Sequence, residues 1–303
     1  TIQLEVWMTS VERLLAFASL PQEAPARIPG AAPPEDWPTH GQVTLRGIKL
    51  RYRPNLPQIL HGVDLEIPGG CRVGVVGRTG AGKSTLLLAL LRLVELDEGS
   101  MVIDGVDIRT IGLTDLRSRL TIIPQDPVLF GGTLRYNLDP FNLYTDAQVW
   151  GALDRAHLGA EVRSLPLQLE HVVAEKGSNL SVGQRQLVCI ARALLRSTRV
   201  LLMDEATASI DTETDQKIQA SVRDITDCTI ITIAHRLETV ADFDRILVME
   251  AGRVGEYASP AELLSREGGL FRAMVEELGP SRAAHFREIA QVEDRAPPSG
   301  GAG

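Results

Sequence analysis

The chain has few cysteines, few aromatic side chains and no excess of positive charge. Its 303 residues include three cysteines and 4% aromatic residues, and the formal net charge is −8. Cys71, Cys189 and Cys228 are widely spaced, odd in number and set in apolar surroundings, so reduced core thiols are indicated rather than a disulfide framework. The negative charge disfavours nucleic acid as a ligand, because proteins that bind it usually present a basic face.

Long hydrophobic runs are absent as well. No run reaches the roughly 18 apolar residues from which a membrane-spanning helix is recognised. The richest stretch, residues 86–94, is short and contains Arg92, and no signal peptide is visible. The apolar fraction of 44% is typical of a globular domain with flanking segments. Because the chain begins at Thr1 without an initiator Met, we expect it to be a fragment of a longer protein.

The flanking segments differ in composition from the middle of the chain. Residues 1–20 have apolar side chains at helical spacing, which predicts an amphipathic helix. Residues 21–41 contain six prolines and are typical of an extended linker. Residues 281–303 end in a run of proline, serine and glycine, and we expect a disordered tail. The folded domain should therefore span residues 42–280.

Two kinds of strand are predicted within that domain. Residues 43–46, 49–52 and 62–67 resemble antiparallel strands, and Asp104-Gly105 predicts a two-residue hairpin turn. Other runs are rich in β-branched residues and do not alternate with polar ones, as is typical of parallel strands buried on both faces. These runs are residues 71–76, 200–203 and 229–233, with a further strand expected at 245–249.

Residues 139–196 show helical spacing instead. The pattern as a whole predicts an α/β protein with a three-layer core, an antiparallel β subdomain and an inserted helical subdomain at about residues 139–196.

A glycine-rich octapeptide follows the predicted strand at 71–76 and precedes a helical stretch at 85–93. In that context backbone N–H groups converge on phosphate oxygens, and the helix N-terminus adds its positive dipole end. Lys83 would supply a charge for the β and γ phosphates, and the Ser84 hydroxyl would ligate Mg²⁺. The alternative is a chance glycine-rich turn. The residues predicted to bind ATP here are Gly77, Thr79, Gly80, Ala81, Gly82, Lys83, Ser84 and Thr85.

Two carboxylates, Asp204 and Glu205, directly follow the apolar run at 200–203. Asp204 would hold Mg²⁺, usually through water, and Glu205 is placed to polarise an attacking water. Such general-base assistance is typically worth roughly 10²–10⁴ in rate. The alternative is plain surface charge.

A pentapeptide between these two motifs indicates which family of nucleotide-binding proteins the chain resembles. The order of the motifs resembles the nucleotide-binding domain of an ABC (ATP-binding cassette) transporter, whose fold is a P-loop NTPase core. The resemblance covers roughly residues 42–278. The pentapeptide is Leu180-Ser181-Val182-Gly183-Gln184.

The resemblance implies roles for three residues that are weak signals by themselves. Gln125 would contact Mg²⁺ or the attacking water, and His235 would contact the γ-phosphate. Tyr52 would stack on adenine, for which a core or rim tyrosine is the competing interpretation. With Lys83 and Glu205, Gln125 and His235 complete the implied catalytic group.

The family also pairs two such domains head to tail. The resemblance therefore implies that Ser181, Gly183 and Gln184 serve the ATP of a partner domain, with Asp211 across the same interface. We expect Gln184 to open a helix over residues 185–196 whose N-terminus points at a phosphate.

Further details resemble the second nucleotide-binding domain of the multidrug-resistance-associated (ABCC) subfamily. Glu205 is present, Val182 replaces the usual glycine, and residues 7–14 resemble the segment that leaves the last transmembrane helix. The implied function is ATP-driven export of an organic anion, conjugate or drug. The implied partners are a first nucleotide-binding domain and transmembrane domains, at the cytosolic face of a plasma or vacuolar/organellar membrane.

The sequence leaves a second function open and bears on a third. An ATP-gated channel or channel regulator of the same subfamily stays open as an alternative, because nothing in the chain separates it from a pump. A different class is a soluble ABC ATPase of DNA repair or translation. The repair proteins are disfavoured, because residues 85–179 are too few for their coiled-coil insertion and lack heptads.

Overall fold

The computed structural model describes residues 2–20, 22–204, 210–234 and 236–293. The predictions for Glu205, His235 and residues 294–303 lie outside the described residues.

The described chain contains helices and strands in a mixed order. The helices are α1 Ile2–Ala18, α2 Lys83–Leu90, α3 Leu113–Arg117, α4 Leu134–Leu138, α5 Asp146–Arg155, α6 Gly159–Ser164, α7 Val182–Arg196, α8 Thr212–Arg223, α9 Pro260–Ser265, α10 Leu270–Glu276 and α11 Pro280–Glu293. The strands are β1 Val43–Leu50, β2 Leu60–Ile67, β3 Arg72–Val76, β4 Glu98–Ile103, β5 Val106–Asp107, β6 Leu120–Ile123, β7 Gly132–Thr133, β8 Val172–Val173, β9 Val200–Asp204, β10 Thr229–Ile233, β11 Arg245–Glu250 and β12 Arg253–Ala258.

A six-stranded sheet forms the centre of the fold, in the order β12-β11-β3-β10-β9-β6. All neighbours are parallel except the edge pair β11–β12. The parallel strands predicted from unalternated apolar runs are confirmed, and β10 is buried along its whole length. Because the strands are parallel, the carboxyl ends of β3, β10, β9 and β6 meet at one edge of the sheet.

A second, antiparallel sheet has the order β2-β1-β4-β5. The two strands predicted at 43–46 and 49–52 are one strand, β1, with an irregularity between Leu45 and Ile48. Gly47 lies within this irregularity and has a positive φ of 56°. A glycine at such a position resembles the turn residue that would separate two strands. The predicted hairpin is confirmed, since Asp104 and Gly105 have φ of 43° and 79° between β4 and β5.

The described residues form three hydrophobic clusters. The first joins the antiparallel sheet to α2 and to residues of the large sheet such as Val75 and Leu202. The second is built by the helices α4 to α8 with Leu201 and Ile230 of the large sheet. The third lies under α9 to α11. The helical region predicted to start at residue 139 begins earlier, at α4.

Residues 22–41, predicted as an extended linker, contain no helix or strand, and several of them contact the domain. The Trp37 side chain is buried, and its indole N–H donates to the Ile103 carbonyl at 2.8 Å. The Asp104 carboxylate accepts the backbone N–H groups of His40, Gly41 and Gln42 at 2.8–2.9 Å. The sequence could not show these contacts because they join residues about sixty positions apart.

The predicted tail is wrong for residues 281–293, which lie in α11. Phe286 is fully buried and packs edge-on against Phe271, with ring centroids 5.7 Å apart. Ala283 and Ala290 are buried on the same side of the helix. The helical spacing of Ala283, Phe286 and Ala290 is short, and the proline, serine and glycine residues that end the chain led the sequence to predict a disordered tail.

None of the described helices is long and apolar enough to cross a bilayer. The predicted N-terminal helix is present as α1, and its apolar side chains such as Trp7 and Leu14 are exposed.

Candidate functional site

The carboxyl edge of the large sheet collects most of the predicted site residues. The glycine-rich loop follows β3, Asp204 is the last residue of β9, and Gln125 follows β6 by two positions. Strand β10, which precedes His235, lies between β3 and β9. The topology therefore brings together motifs that are up to about 130 residues apart along the chain.

The glycine-rich loop owes its shape to glycines at two positions. Gly77 has φ of 147°, and a Cβ atom there would lie 2.3 Å from the Met249 carbonyl oxygen. Gly82 is the N-cap of α2 with φ of 99°, and no side chain caps this helix. The first N–H groups of α2 are therefore left without a side-chain acceptor, as an anion site requires.

Lys83 lies in the first turn of α2 and is buried. Its ammonium group donates to the carbonyl oxygens of Gly77 at 2.7 Å and Arg78 at 3.2 Å. These contacts keep the Lys83 ammonium group close to the backbone of the glycine-rich loop. A phosphate placed over the loop would meet the ammonium and the helix N-terminus together.

Tyr52 lies next to the same helix. Its hydroxyl is 2.9 Å from the hydroxyl oxygen of Thr85, and 42% of the side chain is exposed. The predicted adenine-stacking residue and the predicted phosphate-binding residue are therefore neighbours, and the aromatic ring remains accessible. Thr79 and Gly80 are exposed in the loop and Ser84 is exposed in the first turn of α2, whereas Ala81 is buried.

The predicted Mg²⁺ ligands are Ser84, Gln125 and Asp204. They offer one hydroxyl, one amide oxygen and one carboxylate, all hard oxygen donors, from elements that end at the same edge. Mg²⁺ in nucleotide sites keeps waters and uses one or two carboxylates together with substrate phosphates, so this donor set fits it.

The pentapeptide is built differently. Ser181 is the N-cap of α7, and its side-chain oxygen accepts the Gln184 backbone N–H at 3.1 Å. The Gln184 side chain in turn accepts the Ser181 backbone N–H at 2.7 Å and also bonds Glu161. The predicted helix start at residue 185 is wrong, because α7 begins at Val182 and Gln184 is its third residue. The spacing Ser-x-x-Gln is the signal for this capping box.

Gly183 packs against the first turn of α8, the helix that Asp211 caps. A Cβ atom on Gly183 would lie 2.5 Å from Thr214 Cγ2, so glycine permits close packing of α7 on α8. Asp211 is the N-cap of α8 and accepts the Thr214 backbone N–H at 2.9 Å. That hydrogen bond lowers the pKa of Asp211. Val182 is partly exposed, so a side chain is accommodated there.

Comparison with known proteins shows which family the chain resembles over most of its length. A family model described as ABC transporter matches residues 60–208. The chain is 51% identical over 275 residues to ABC transporter C family member 6 of Arabidopsis thaliana, covering 90% of this chain and 19% of that protein. It is 52% identical over 277 residues to ATP-binding cassette sub-family C member 3 of Mus musculus, covering 91% and 18%.

The chain carries an ABC transporter ATP-binding domain. A solved structure of a bacterial Atm1-family ABC exporter with ATP bound superimposes with a TM-score of 0.82 at 36% identity, covering 90% of this chain and 47% of that one. The predicted P-loop NTPase fold of an ABC ATPase is confirmed. The chain spans about a fifth of the length of the curated relatives named above.

The ABC ATPase domain contains site features that the sequence interpretation missed. The capping box at Ser181 was signalled by its spacing but not recognised. The hydroxyl pair of Tyr52 and Thr85 has no sequence signal, because the two residues are 33 positions apart and belong to different elements.

Proposed function

We propose that this chain is the second nucleotide-binding domain of an ABCC-type exporter and forms two half-sites with a first nucleotide-binding domain. The observation that carries the proposal is the separation of two phosphate-binding elements. The glycine-rich loop and α2 belong to the first hydrophobic cluster, through Ala81 and Leu86. The pentapeptide lies at the start of α7, which belongs to the second cluster through Leu187.

The first half-site would bind ATP through groups that this chain already orients. Backbone N–H groups of Gly80 to Ser84 would cradle the phosphates, and Lys83 would exchange its carbonyl partners for phosphate oxygens. Tyr52 would support adenine with its exposed ring. Mg²⁺, held by Ser84, Asp204 and Gln125, would neutralise phosphate charge when bound.

The remaining catalytic roles follow from the strand ends. Glu205 would accept a proton from the attacking water directly after β9, and His235 would contact the γ-phosphate after β10. Both residues stay predictions, since each lies outside the described residues. Gln125 would orient the water or the metal from the end of β6.

The second half-site would complete the partner's nucleotide. The capping box uses the Ser181 oxygen as an acceptor, which leaves the hydroxyl hydrogen free to donate to a phosphate oxygen. The backbone of Val182 and Gly183 stands at the same helix N-terminus, which favours negative charge. Asp211 would face the partner from the adjoining start of α8.

ATP would thus drive closure of the domain pair by binding the closed form more tightly, and hydrolysis would reopen it. Export of an organic anion, conjugate or drug would follow through transmembrane domains at the cytosolic face of a plasma or organellar membrane. Helix α1, with its exposed apolar face, would extend the last transmembrane helix.

Glu205→Gln in the full-length transporter tests the proposal. We expect trapped ATP and loss of steady-state hydrolysis by about 10²-fold or more, the scale of a lost general base. Solute flux in membrane vesicles should stop with it. Unchanged hydrolysis would contradict the role of Glu205, and ATP-dependent ion current without solute flux would favour the channel alternative.

A further inference from the structure

The loop that carries Gln125 is fastened at both ends by buried polar side chains. It runs from Pro124 to Phe130 after β6, and its tip is exposed at Gln125 and Asp126. Leu129 is buried in the second hydrophobic cluster and anchors the distal end. The helices that supply the polar contacts are α4 and α7.

Asn137, in α4, is the centre of these contacts and is only 2% exposed. Its amide oxygen accepts the Phe130 backbone N–H at 2.9 Å. Its amide nitrogen donates to the carbonyl oxygens of Phe130 at 2.8 Å and Thr133 at 3.0 Å. One buried amide therefore satisfies both backbone groups of Phe130, a geometry that another side chain of this size could not reproduce without an orphaned polar group.

Arg192, in α7, closes the arrangement. Its guanidinium donates to the Val128 carbonyl at 2.9 Å, to the Asn137 carbonyl at 2.5 Å and to the Asn137 side-chain oxygen at 2.8 Å. Burial lowers the pKa of this guanidinium. A partly buried cation is costly unless its donors are satisfied, and here carbonyl and amide oxygens satisfy them.

The proximal end of the loop reaches the same helix. Gln186 of α7 is 1% exposed, and its side-chain nitrogen is 3.5 Å from the Pro124 carbonyl oxygen. Helix α7 thus contacts the loop on both sides of Gln125, and the N-terminus of α7 carries the pentapeptide through Ser181.

We propose that Asn137 and Arg192 are positioning residues that hold Gln125 in register with α7, so that one helix joins the two half-sites of this chain. The inference rests on the proposed role of Gln125 at the bound metal. Its consequence is that a phosphate bound at Ser181 and a nucleotide bound at Lys83 act on the same rigid element.

The test measures the ATP affinity of this chain with Mg²⁺ and again with a chelator, and takes the ratio as the metal enhancement. We expect Gln125→Ala to lower the ratio. Asn137→Ala should lower it about tenfold, at the low end of the roughly 10–100-fold loss that is typical when a residue that orients a metal ligand is removed, with the metal-free affinity unchanged. In the double variant the two losses should not add, because Asn137 acts through Gln125.

Two further variants separate positioning from folding. Arg192→Lys keeps the cation but loses the forked geometry and should lower the ratio in part. Leu194→Ala removes a buried side chain of α7 that has no hydrogen bond to the loop, and it should leave the ratio unchanged at a similar cost in thermal stability.

Three outcomes would overturn the inference. A normal ratio in both Asn137→Ala and Arg192→Lys, with a lowered ratio in Gln125→Ala, would overturn it while leaving the role of Gln125 intact. An equal loss in Leu194→Ala would assign the effect to general destabilisation. A normal ratio in Gln125→Ala would remove the proposed metal role itself, and the inference with it.

Discussion

The N-termini of α2 and α7 are both candidate phosphate sites, but they are built in opposite ways. Helix α2 starts at a glycine with φ of 99° and has no side-chain cap. Helix α7 has Ser181 as its N-cap, in a complete capping box with Gln184. The α2 end has no side-chain cap for its backbone N–H groups, whereas side-chain oxygens at the α7 end accept two backbone N–H groups.

The N-termini of α2 and α7 are therefore suited to different roles in binding a nucleotide. An uncapped N-terminus gains its hydrogen bonds from a ligand, so α2 is suited to bind a nucleotide tightly by itself. A capped N-terminus is stable without a ligand, so α7 is suited to add a few contacts to a nucleotide held elsewhere. The first-turn cations differ as well, since Lys83 of α2 donates to carbonyl oxygens of the glycine-rich loop, whereas Arg185 of α7 donates to the Gly177 carbonyl oxygen.

The N-termini of α2 and α7 should differ most in how much they contribute to the ATP affinity of this chain. Lys83→Ala should weaken ATP binding to this chain by about 10–100-fold, since a charge-assisted hydrogen bond is worth roughly 1.5–3 kcal/mol. Ser181→Ala should leave that affinity unchanged, because its phosphate partner belongs to the other domain. Calorimetric titration of the isolated chain with ATP measures both.

The Ser181 variant should still have a cost of a different kind. Loss of the N-cap should lower the free energy of unfolding by about 1 kcal/mol, read from urea denaturation. If Ser181→Ala weakened ATP binding as much as Lys83→Ala, the pentapeptide would serve its own domain and the comparison would fail.

A second prediction concerns the glycines that open the α2 end. Gly77→Ala should destabilise the fold by about 3 kcal/mol, because the new Cβ meets the Met249 carbonyl oxygen at 2.3 Å in addition to the strain at positive φ. Gly80→Ala is the matched control. Gly80 also has positive φ, at 82°, but nothing lies within 4 Å of its Cβ position.

The control should therefore show only the conformational cost, about 1 kcal/mol. Urea denaturation of the two variants measures the difference in the free energy of unfolding. Equal losses would mean that the close approach to Met249 does not constrain the loop.

The sequence predicted the α2 end far better than the α7 end. Its signals are local, since the strand at 71–76, the glycines and Lys83 follow one another directly. The sequence predicted that the pentapeptide binds phosphate, but it did not predict that the side chains of Ser181 and Gln184 each accept the other's backbone N–H. Contacts such as Asn137 with Phe130 and Arg192 depend on how helices pack, and no pattern along the chain encodes that packing.

The same limit explains the errors at the two ends of the domain. Proline-rich composition correctly excludes a helix at residues 22–41, yet composition says nothing about the burial of Trp37 against Ile103. Helix α11 was missed because Phe286 has its apolar partner, Phe271, in a different helix. Local pattern fixes element type, whereas burial depends on distant residues.

The smallest expected effect tests the helix beside the pentapeptide. Hydrogen bonding to the Thr214 N–H lowers the pKa of Asp211 below its ordinary 3.8. Its contribution to stability is thus fully present above that value and is lost as pH falls through the lower pKa of the folded state. Asp211→Asn keeps the cap, since asparagine and aspartate are comparable at this position.

Stability near neutral pH should therefore hardly change in Asp211→Asn, whereas the decline below pH 3.8 should be shallower than in the native chain. Thermal unfolding between pH 3 and pH 7 measures both the stability near neutral pH and its decline in acid. Full-length transporter carrying the same variant should lose ATP turnover if Asp211 also faces the partner. If the decline below pH 3.8 were equally steep in the two proteins, Asp211 would cap α8 without a charge-dependent contribution, and α8 would then resemble α7 in relying on neutral capping.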